Sequence, residues 1–251
     1  MAFVKTTGKS SVYATSLAVS FATLPAVGSH LVCKVFGWTG TSGPTAITFT
    51  DNQGGLNLYG QSVLVRNSSS GRYACLGATS APITTSAGTF TVTATLVGAV
   101  GTAVIQFCVD EFDTVASGNW LDVTASATQS STSADTSATA TTAQANEVLV
   151  SVMGCGTNNS ATTFTPNATG SAPSSGWTNN QSDADDTNFC AGVMARVLAS
   201  ATVAARHVET LNVSGNNACV IATYKEAVAG GDPEGSLLGG KLLRGGLLRH
   251  G

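Results

Sequence analysis

The sequence predicts an all-β protein, a two-sheet antiparallel β-sandwich of jelly-roll-like topology with an extended C-terminal tail rich in Gly and Leu. Runs of β-branched and aromatic residues recur along most of the chain, and clusters of Gly, Asn, Asp and Ser separate them. No span combines helical periodicity with a cap at each end. Antiparallel strands without a helical layer bury their faces by stacking sheets or closing a barrel, and we expect the stacked arrangement.

The expected strands follow one another at short intervals. They span residues 12–21, 31–38, 45–50, 56–65, 72–76, 89–97, 103–112, 120–127, 147–153, 189–197, 206–213 and 218–224. The clearest pattern is the alternation of threonine and apolar residues from Thr89 to Leu96, which predicts one buried and one solvated face. Turn-forming residues at Asp51 to Gly55 and at Ser214 to Asn217 are expected to separate neighbouring strands.

The composition argues against several classes of protein. Charged residues make up 10% of the chain and apolar residues 43%, so a core is possible and the high charge of a disordered chain is missing. A net charge of -3 with 11 Lys and Arg disfavours a nucleic-acid surface, and no apolar stretch approaches the roughly 20 residues of a membrane-spanning helix. The polar opening from Met1 to Ser10 does not resemble a secretion signal. We therefore expect no nucleic acid, membrane or cofactor as a partner, and no Sec-type export.

The six cysteines form no CxxC pair and have no His partner at metal-ligand spacing, so the sequence predicts no metal site. They are Cys33, Cys75, Cys108, Cys155, Cys190 and Cys219. Most lie in apolar runs, where a reduced cysteine packs as a small core residue. Disulfide bonds are the alternative that an even number of cysteines leaves open.

Motifs that carry catalysis are missing from the chain, which contains no GxSxG, HExxH, GxxxxGK[ST] or GxGxxG pattern. The sequence therefore predicts that the protein is not an enzyme. A Ser-His-Asp arrangement would have to use His30 or His207, and neither lies in a recognisable nucleophile context.

Two acidic clusters supply alternative hypotheses. Asp110, Glu111 and Asp113 at a strand end would suit hydrolysis by paired carboxylates if they shared one cleft. The cluster from Asp183 to Asp186 would offer oxygen ligands to Ca²⁺. Solvated acids at a strand end and in a turn are the competing interpretations.

Low-complexity segments occupy residues 126–142 and 156–186. The first fits an exposed strand pair as well as a loop, and the second is expected to be a long surface excursion. Trp177 lies in the second segment between polar residues, and it is the aromatic side chain best placed to contact a glycan. Trp38 and Trp120 adjoin apolar strands and are expected in the core.

The C-terminal segment carries the most specific signal. Three five-residue units that each begin with Leu-Leu follow a polar linker. A period of five matches neither a helix nor a strand, so the segment cannot bury its leucines alone. We therefore divide the chain into a β-sandwich domain, residues 1–228, and a linker with a docking tail, residues 229–251, whose alternative is packing on its own domain. The expected contacts are Leu237, Leu238, Lys241, Leu242, Leu243, Arg244, Leu247, Leu248 and Arg249.

Over about residues 2–226 the order of these patterns resembles β-sandwich modules of bacterial surface proteins and of tailed-phage virion proteins. The likeness rests on the Asp51–Gly55 turn, the Thr89–Leu96 alternation, Ile105–Phe112, Ala145–Val150 and the closing Ile221–Lys225. The Leu-Leu-Gly-Gly tail is similar to terminal peptides of phage structural proteins that dock onto neighbours.

The resemblance implies a non-enzymatic virion protein that decorates or cements a phage capsid or tail, or forms part of a fibre. Its partners would be further copies of itself and other virion proteins, and it would assemble in the host cytoplasm. The alternative functions are an extracellular carbohydrate-binding or adhesive module and a hydrolase that uses Asp110, Glu111 or Asp113.

Overall fold

The computed structural model describes residues 2–12, 14–40, 42–98, 103–113, 119–156, 163–184 and 191–227. Within these ranges the chain forms fourteen strands. They are β1 (Ala2–Val12), β2 (Ser16–Ser20), β3 (His30–Trp38), β4 (Ala46–Asp51), β5 (Tyr59–Asn67), β6 (Arg72–Thr79), β7 (Thr91–Val97), β8 (Val104–Asp113), β9 (Leu121–Asp135), β10 (Glu147–Gly156), β11 (Phe164–Pro166), β12 (Thr178–Ala184), β13 (Ala191–Ala199) and β14 (Val208–Lys225). None of the described residues forms a helix long and apolar enough to cross a membrane.

The described strands form three antiparallel sheets stacked in layers. The central sheet has the order β1-β8-β3-β6-β5, and a small sheet of order β2-β7-β4 packs on one of its faces. A large sheet of order β11-β14-β10-β13-β12, with β9 also paired to β14, packs on the other face. The predicted all-β antiparallel sandwich is confirmed, and the structure adds a third sheet to the expected pair.

Strands β3, β6 and β8 lie in the middle of the stack because their residues are apolar on both faces. Every residue of β6, and all but the last residue of β3 and of β8, is buried. Successive side chains of a strand point to opposite faces. In β8, for example, Phe107 packs against the small sheet and Phe112 against the large one.

The small sheet confirms the alternation predicted for β7. Phe90, Val92, Ala94 and Leu96 are buried against the central sheet, while the threonines between them are partly exposed. The serines and threonines of β2 and β7 pair across the strands on the solvated face. Ser20 Oγ, for instance, lies 2.8 Å from Thr91 Oγ1.

Two regions differ from the predicted strands. The sequence predicts a first strand over residues 12–21, but residues 2–12 form β1, which pairs with β8, and residues 16–20 form the separate strand β2. Residues 206–224 were expected as two strands with a turn at Ser214 to Asn217, but β14 is continuous, with a register shift between Thr210 and Gly215. Asn217 is accommodated within the ladder because its amide donates to the carbonyl oxygens of Ser131 and Ser133.

The outer face of the large sheet is covered by irregular segments of the chain. Thr139 N donates to Ala205 O at 2.9 Å and Thr142 N to Val203 O at 3.0 Å, so residues 136–142 and 203–207 run together. Beneath these segments lies an apolar cluster that contains Leu149, Val197 and Ile221.

The second low-complexity segment, residues 156–186, contains two short strands, β11 and β12, rather than being a simple loop.

The cysteines of the described ranges are buried and form no disulfide bond with one another, which confirms the core interpretation for Cys33, Cys75, Cys108, Cys155 and Cys219. Several other predictions fall outside the described residues. These are the whole tail with its docking leucines and basic residues, together with Asp185, Asp186 and Cys190.

Candidate functional site

A groove of about 670 Å³ lies at one edge of the large sheet. Thr178, the first residue of β12, pairs with Arg196, so the last three residues of β13 extend past the start of β12. The groove occupies that edge, between the segment that leads into β12 and the residues that follow β13. Its lining residues include Phe3, Pro173, Arg196, Leu198 and Val203. Leu198 is 54% exposed, so an apolar side chain is displayed beside it.

The base of the groove is positively charged. Arg196 reaches inward from β13, with its guanidinium carbon 3.3 Å from the centre of the Phe3 ring and Nη1 3.6 Å from Asp110 Oδ2. The same oxygen accepts a hydrogen bond from Lys34 Nζ at 2.7 Å. Two cations and one carboxylate leave a net positive charge on the three side chains.

Arg196 is the member of this cluster that reaches the groove. Its side chain is 16% exposed, whereas the side chains of Lys34 and Asp110 are fully buried. Burial lowers the pKa of Arg196, and Asp110 opposes that effect. A guanidinium remains protonated in proteins, so the base of the groove favours an anionic group.

A smaller pocket of about 180 Å³ continues from the groove, with which it shares Leu198, Ala199 and Ser200. Its opposite wall is formed by Glu147 at the start of β10 and by Glu226, one residue after β14. Since the described chain ends at residue 227, it ends at this pocket.

Glu147 is the most perturbed acid of this region. Its side chain is buried, and burial raises its pKa to about 7, to which the neighbouring Asp122 carboxylate contributes. Asp122 Oδ2 in turn accepts a hydrogen bond from Ala143 N at 2.6 Å. The Glu147 carboxyl therefore changes its protonation around neutral pH.

A second polar cluster lies on the outer side of the large sheet. Ser151 Oγ lies 2.6 Å from His207 Nδ1, and Glu209 Oε1 lies 3.1 Å from His207 Nε2. These are the residue types of a Ser-His-acid triad. All three side chains are fully buried, however, and the Trp177 ring stacks on the imidazole at 4.0 Å with 12° between the planes. In this conformation a substrate cannot reach the Ser151 hydroxyl. The three side chains instead form a buried polar network.

No family model, no curated protein and no solved structure matches the chain. The function must therefore be argued from the geometry of these sites.

The three acids proposed for hydrolysis do not share a cleft. Asp110 and Glu111 are buried on opposite faces of β8, where Asp110 contacts Lys34 and Glu111 contacts Lys5. Asp113 is exposed at the end of the strand. The separation overturns the paired-carboxylate hypothesis, because that chemistry needs two carboxyl groups about 5–10 Å apart around one substrate.

The structure places the candidate histidine His30 in the core. Its Nδ1 lies 3.1 Å from Thr79 Oγ1, and its ring lies 4.4 Å from that of Trp120. Burial lowers the pKa of His30 to about 4, so it is a weak base at neutral pH. Trp120 is buried, as predicted, and Trp38 is partly buried against the same core.

Trp177 is half-buried rather than freely exposed. Its Nε1 donates to Pro173 O at 3.0 Å, and one face of its ring lies on His207. Its neighbours Ser175, Gly176 and Thr178 line the groove, while the indole packs inward on the outer apolar cluster.

Sequence reasoning missed Arg196, Ser151 and Glu147, because their partners are brought in by distant strands. The one signal for a cluster was the spacing of His207 and Glu209, which places both side chains on one face if the chain is extended there. Among the residues that the structure describes, no three His, Cys, Asp or Glu side chains gather in a way that could hold a metal ion.

Proposed function

We propose that the chain is a non-enzymatic structural protein of a phage virion, a subunit that decorates or cements a capsid or tail by contacts with neighbouring copies. The observation that carries the assembly role is a group of exposed aliphatic side chains on neighbouring loops at one end of the strands, Val27, Leu56 and Leu58. These side chains are 65%, 60% and 63% exposed. The virion setting rests on the sequence resemblance described above.

This end surface is held in place by hydrogen bonds between three loops. Gly28 N donates to Ile83 O at 2.8 Å, and Ser80 N donates to Leu58 O at 2.8 Å. Asn57 is buried between the two exposed leucines, and its Oδ1 accepts a hydrogen bond from Thr84 N at 2.9 Å. A surface whose shape is fixed in advance loses little conformational entropy when a second copy binds.

The geometry of the polar clusters supports a role without catalysis. The acids of β8 lie on separate faces, and Ser151, His207 and Glu209 are sealed beneath Trp177. The three stacked layers provide a rigid body of the kind that a lattice subunit needs. Exposed aliphatic side chains held in a fixed arrangement are typical of protein interfaces.

Light scattering tests the assembly role on three versions of the protein: the full chain, a chain that ends at Ala229, and the full chain with Leu56→Ser and Leu58→Ser. We expect the full chain to form oligomers and both altered versions to have a smaller mass. Val97→Ser, an exposed position on the small sheet, is the control and should leave the mass unchanged. A full chain that stays monomeric at all accessible concentrations would contradict self-assembly.

A carbohydrate-binding module is the second candidate, and the groove beside residues 175–178 favours it. A volume of about 670 Å³ is in the range of ligand sites. Titration with neutral and uronic-acid oligosaccharides, followed by calorimetry, distinguishes this function. Saturable binding that Arg196→Gln weakens would support it, and the absence of heat with both classes would remove it.

A further inference from the structure

We propose that the groove beside Arg196 is the acceptor site for the C-terminal segment, residues 228–251, of a second copy of this chain. The inference rests on the proposed function in one respect, since it takes that segment as an assembly element. It adds the surface to which the segment binds and the way in which two copies are joined.

The described part of the chain ends close to the groove. Glu226 N donates to Asn146 O, and Glu226 lines the small pocket that shares Leu198 to Ser200 with the groove. In the large sheet Glu147 pairs with Lys225 on one side and with Ala199 on the other. Adjacent strands are about 4.8 Å apart, so the end of β14 lies about 10 Å from the end of β13.

The C-terminal segment is also long enough to span the distance to the groove. Arg196 lies three residues before Ala199, which adds about 10 Å along the strand. An extended chain advances about 3.3 Å per residue, so the linker and the first Leu-Leu pair, about ten residues beyond Ala227, can span roughly 30 Å. The segment is therefore longer than the distance from its starting point to the groove, so it can also reach the groove of a second copy placed against this edge.

The acidic and apolar side chains of the segment also match the chemistry of the groove. The linker carries Asp232 and Glu234, and the base of the groove carries the net positive charge around Arg196. Carboxylates form charge-assisted hydrogen bonds with a guanidinium. The leucines that follow are matched by the apolar lining, in which Leu198 is exposed beside Phe3 and Val203.

The second copy as the donor follows from the proposed assembly role of the segment. Because the last described residues and the acceptor groove lie side by side, a twofold axis through this edge would bring each segment to the partner's groove. Both segments then exchange reciprocally, which gives a closed and self-complementary contact. The end surface of Val27, Leu56 and Leu58 remains free for a different neighbour.

Disulfide trapping between two full-length variants tests the exchange. One variant carries Leu198→Cys in the groove and the other carries Leu237→Cys in the segment. Leu198→Cys should preserve the fold, since Leu198 is exposed, and Leu237 follows the last described strand by twelve residues in the sequence. We expect oxidation of the mixture to give a covalent dimer of the two variants. Val97→Cys mixed with Leu237→Cys controls for random collision, and wild type mixed with Leu237→Cys controls for the native cysteines.

The outcomes separate this inference from the assembly role. No dimer above the controls, in a protein that light scattering shows to be oligomeric, overturns the groove as acceptor and leaves the proposed function standing. A chain with both substitutions that forms only an internal disulfide, with no dimer in the mixture, overturns the exchange between copies. An entirely monomeric protein removes the proposed function and the exchange together.

A charge variant gives an independent measurement, because it changes only the linker. Asp232→Asn with Glu234→Gln should lower the rate of dimer trapping about threefold if Arg196 receives these carboxylates. Asp113→Asn, an exposed acid on β8, is the matched control and should leave the rate unchanged. Equal trapping rates for the linker variant and the wild-type linker would overturn the contact with Arg196.

Discussion

Both faces of the central sheet are covered by an apolar cluster, but they differ in how deeply their ion pairs are buried. On the face toward the small sheet, the buried acid Glu111 pairs with Lys5, whose side chain is partly exposed. On the face toward the large sheet, the buried acid Asp110 pairs with Lys34, and both are fully buried. The two acids are neighbours on β8, but Glu111 pairs with a lysine of the edge strand β1, whereas Asp110 pairs with a lysine of the interior strand β3.

This difference shows which buried charges lie next to the candidate groove. The small sheet covers its face with an alternating apolar pattern and keeps its ion pair at the rim. The large sheet instead supplies Arg196, which joins the buried pair to the groove. A charge buried without access to water is costly unless it is paired, so the large-sheet face is more sensitive to the removal of one charge.

The largest effect is expected from a cavity on the small-sheet face. Phe107 is fully buried in the cluster that joins the central and small sheets. Phe107→Ala should lower the free energy of unfolding by about 4 kcal/mol, through lost burial and an unfilled cavity. Urea denaturation measures it, with Leu58→Ala as an exposed control that should change less than about 0.5 kcal/mol. A loss below about 2 kcal/mol would mean that this face collapses around the cavity.

The comparison between the two faces is tested most directly by neutralising each acid in turn. Asp110→Asn leaves Lys34 buried beside a neutral group and should cost about 3 kcal/mol. Glu111→Gln should cost about 1 kcal/mol, because Lys5 can turn toward water and Gln retains an acceptor for Ala26 N. Urea denaturation of both variants gives the ratio, and equal losses would break the proposed asymmetry.

A double variant checks the origin of the loss. Asp110→Leu with Lys34→Met removes both buried charges and should recover most of the stability lost in Asp110→Asn, since well-packed apolar replacements of buried pairs are often neutral. If the double variant is as unstable as the single one, shape rather than the unpaired charge explains the loss.

The same contrast explains how much could be read from the sequence. Most strands of the central and small sheets were predictable, because alternation in β7 and largely apolar runs in β3 and β8 report directly on burial. β1 was not, since its polar residues form a strand only because β8 offers an edge. The groove was not predictable either, because Phe3, Asp110 and Arg196 are brought together by three strands that lie far apart in the sequence.

The pH dependence of stability gives a further test on the large sheet, where Glu147 has a raised pKa. Burial raises the pKa of Glu147 from its ordinary value of 4.5 to about 7. Between these values the folded chain binds more protons than the unfolded chain, so the free energy of unfolding falls as the pH rises through this window. The expected fall is about 1–2 kcal/mol.

Glu147→Gln should remove that fall, because glutamine keeps the shape of the protonated acid. The variant should equal the wild type near pH 4.5 and be more stable at pH 8, as measured by urea denaturation at both values. Asp113→Asn is the control, since this exposed acid has no comparable burial. A wild-type stability that does not change between pH 5 and pH 8 would exclude the raised pKa as a determinant of stability.

The smallest effect is expected for an ion pair that lies on neither face of the central sheet. Arg206 donates to Asp135 through Nε at 3.0 Å and through Nη2, and its side chain is 43% exposed. Burial alone would raise the pKa of Asp135, and the hydrogen bond from Arg206 reverses this, so that the pKa lies below its usual value. Because water screens the pair, Arg206→Gln should cost only about 0.5 kcal/mol.

Salt distinguishes this exposed pair from the buried one. At 1 M NaCl the Debye length is about 3 Å, so the difference between Arg206→Gln and the wild type should nearly vanish, whereas the loss from Asp110→Asn should persist. Arg206→Lys is the matched control and should retain part of the attraction without the two-pronged geometry of a guanidinium. A loss above about 2 kcal/mol for Arg206→Gln, insensitive to salt, would mean that burial is not what separates the two ion pairs. The asymmetry between the two faces of the central sheet would then need a different cause, such as the packing of Arg196 against Phe3.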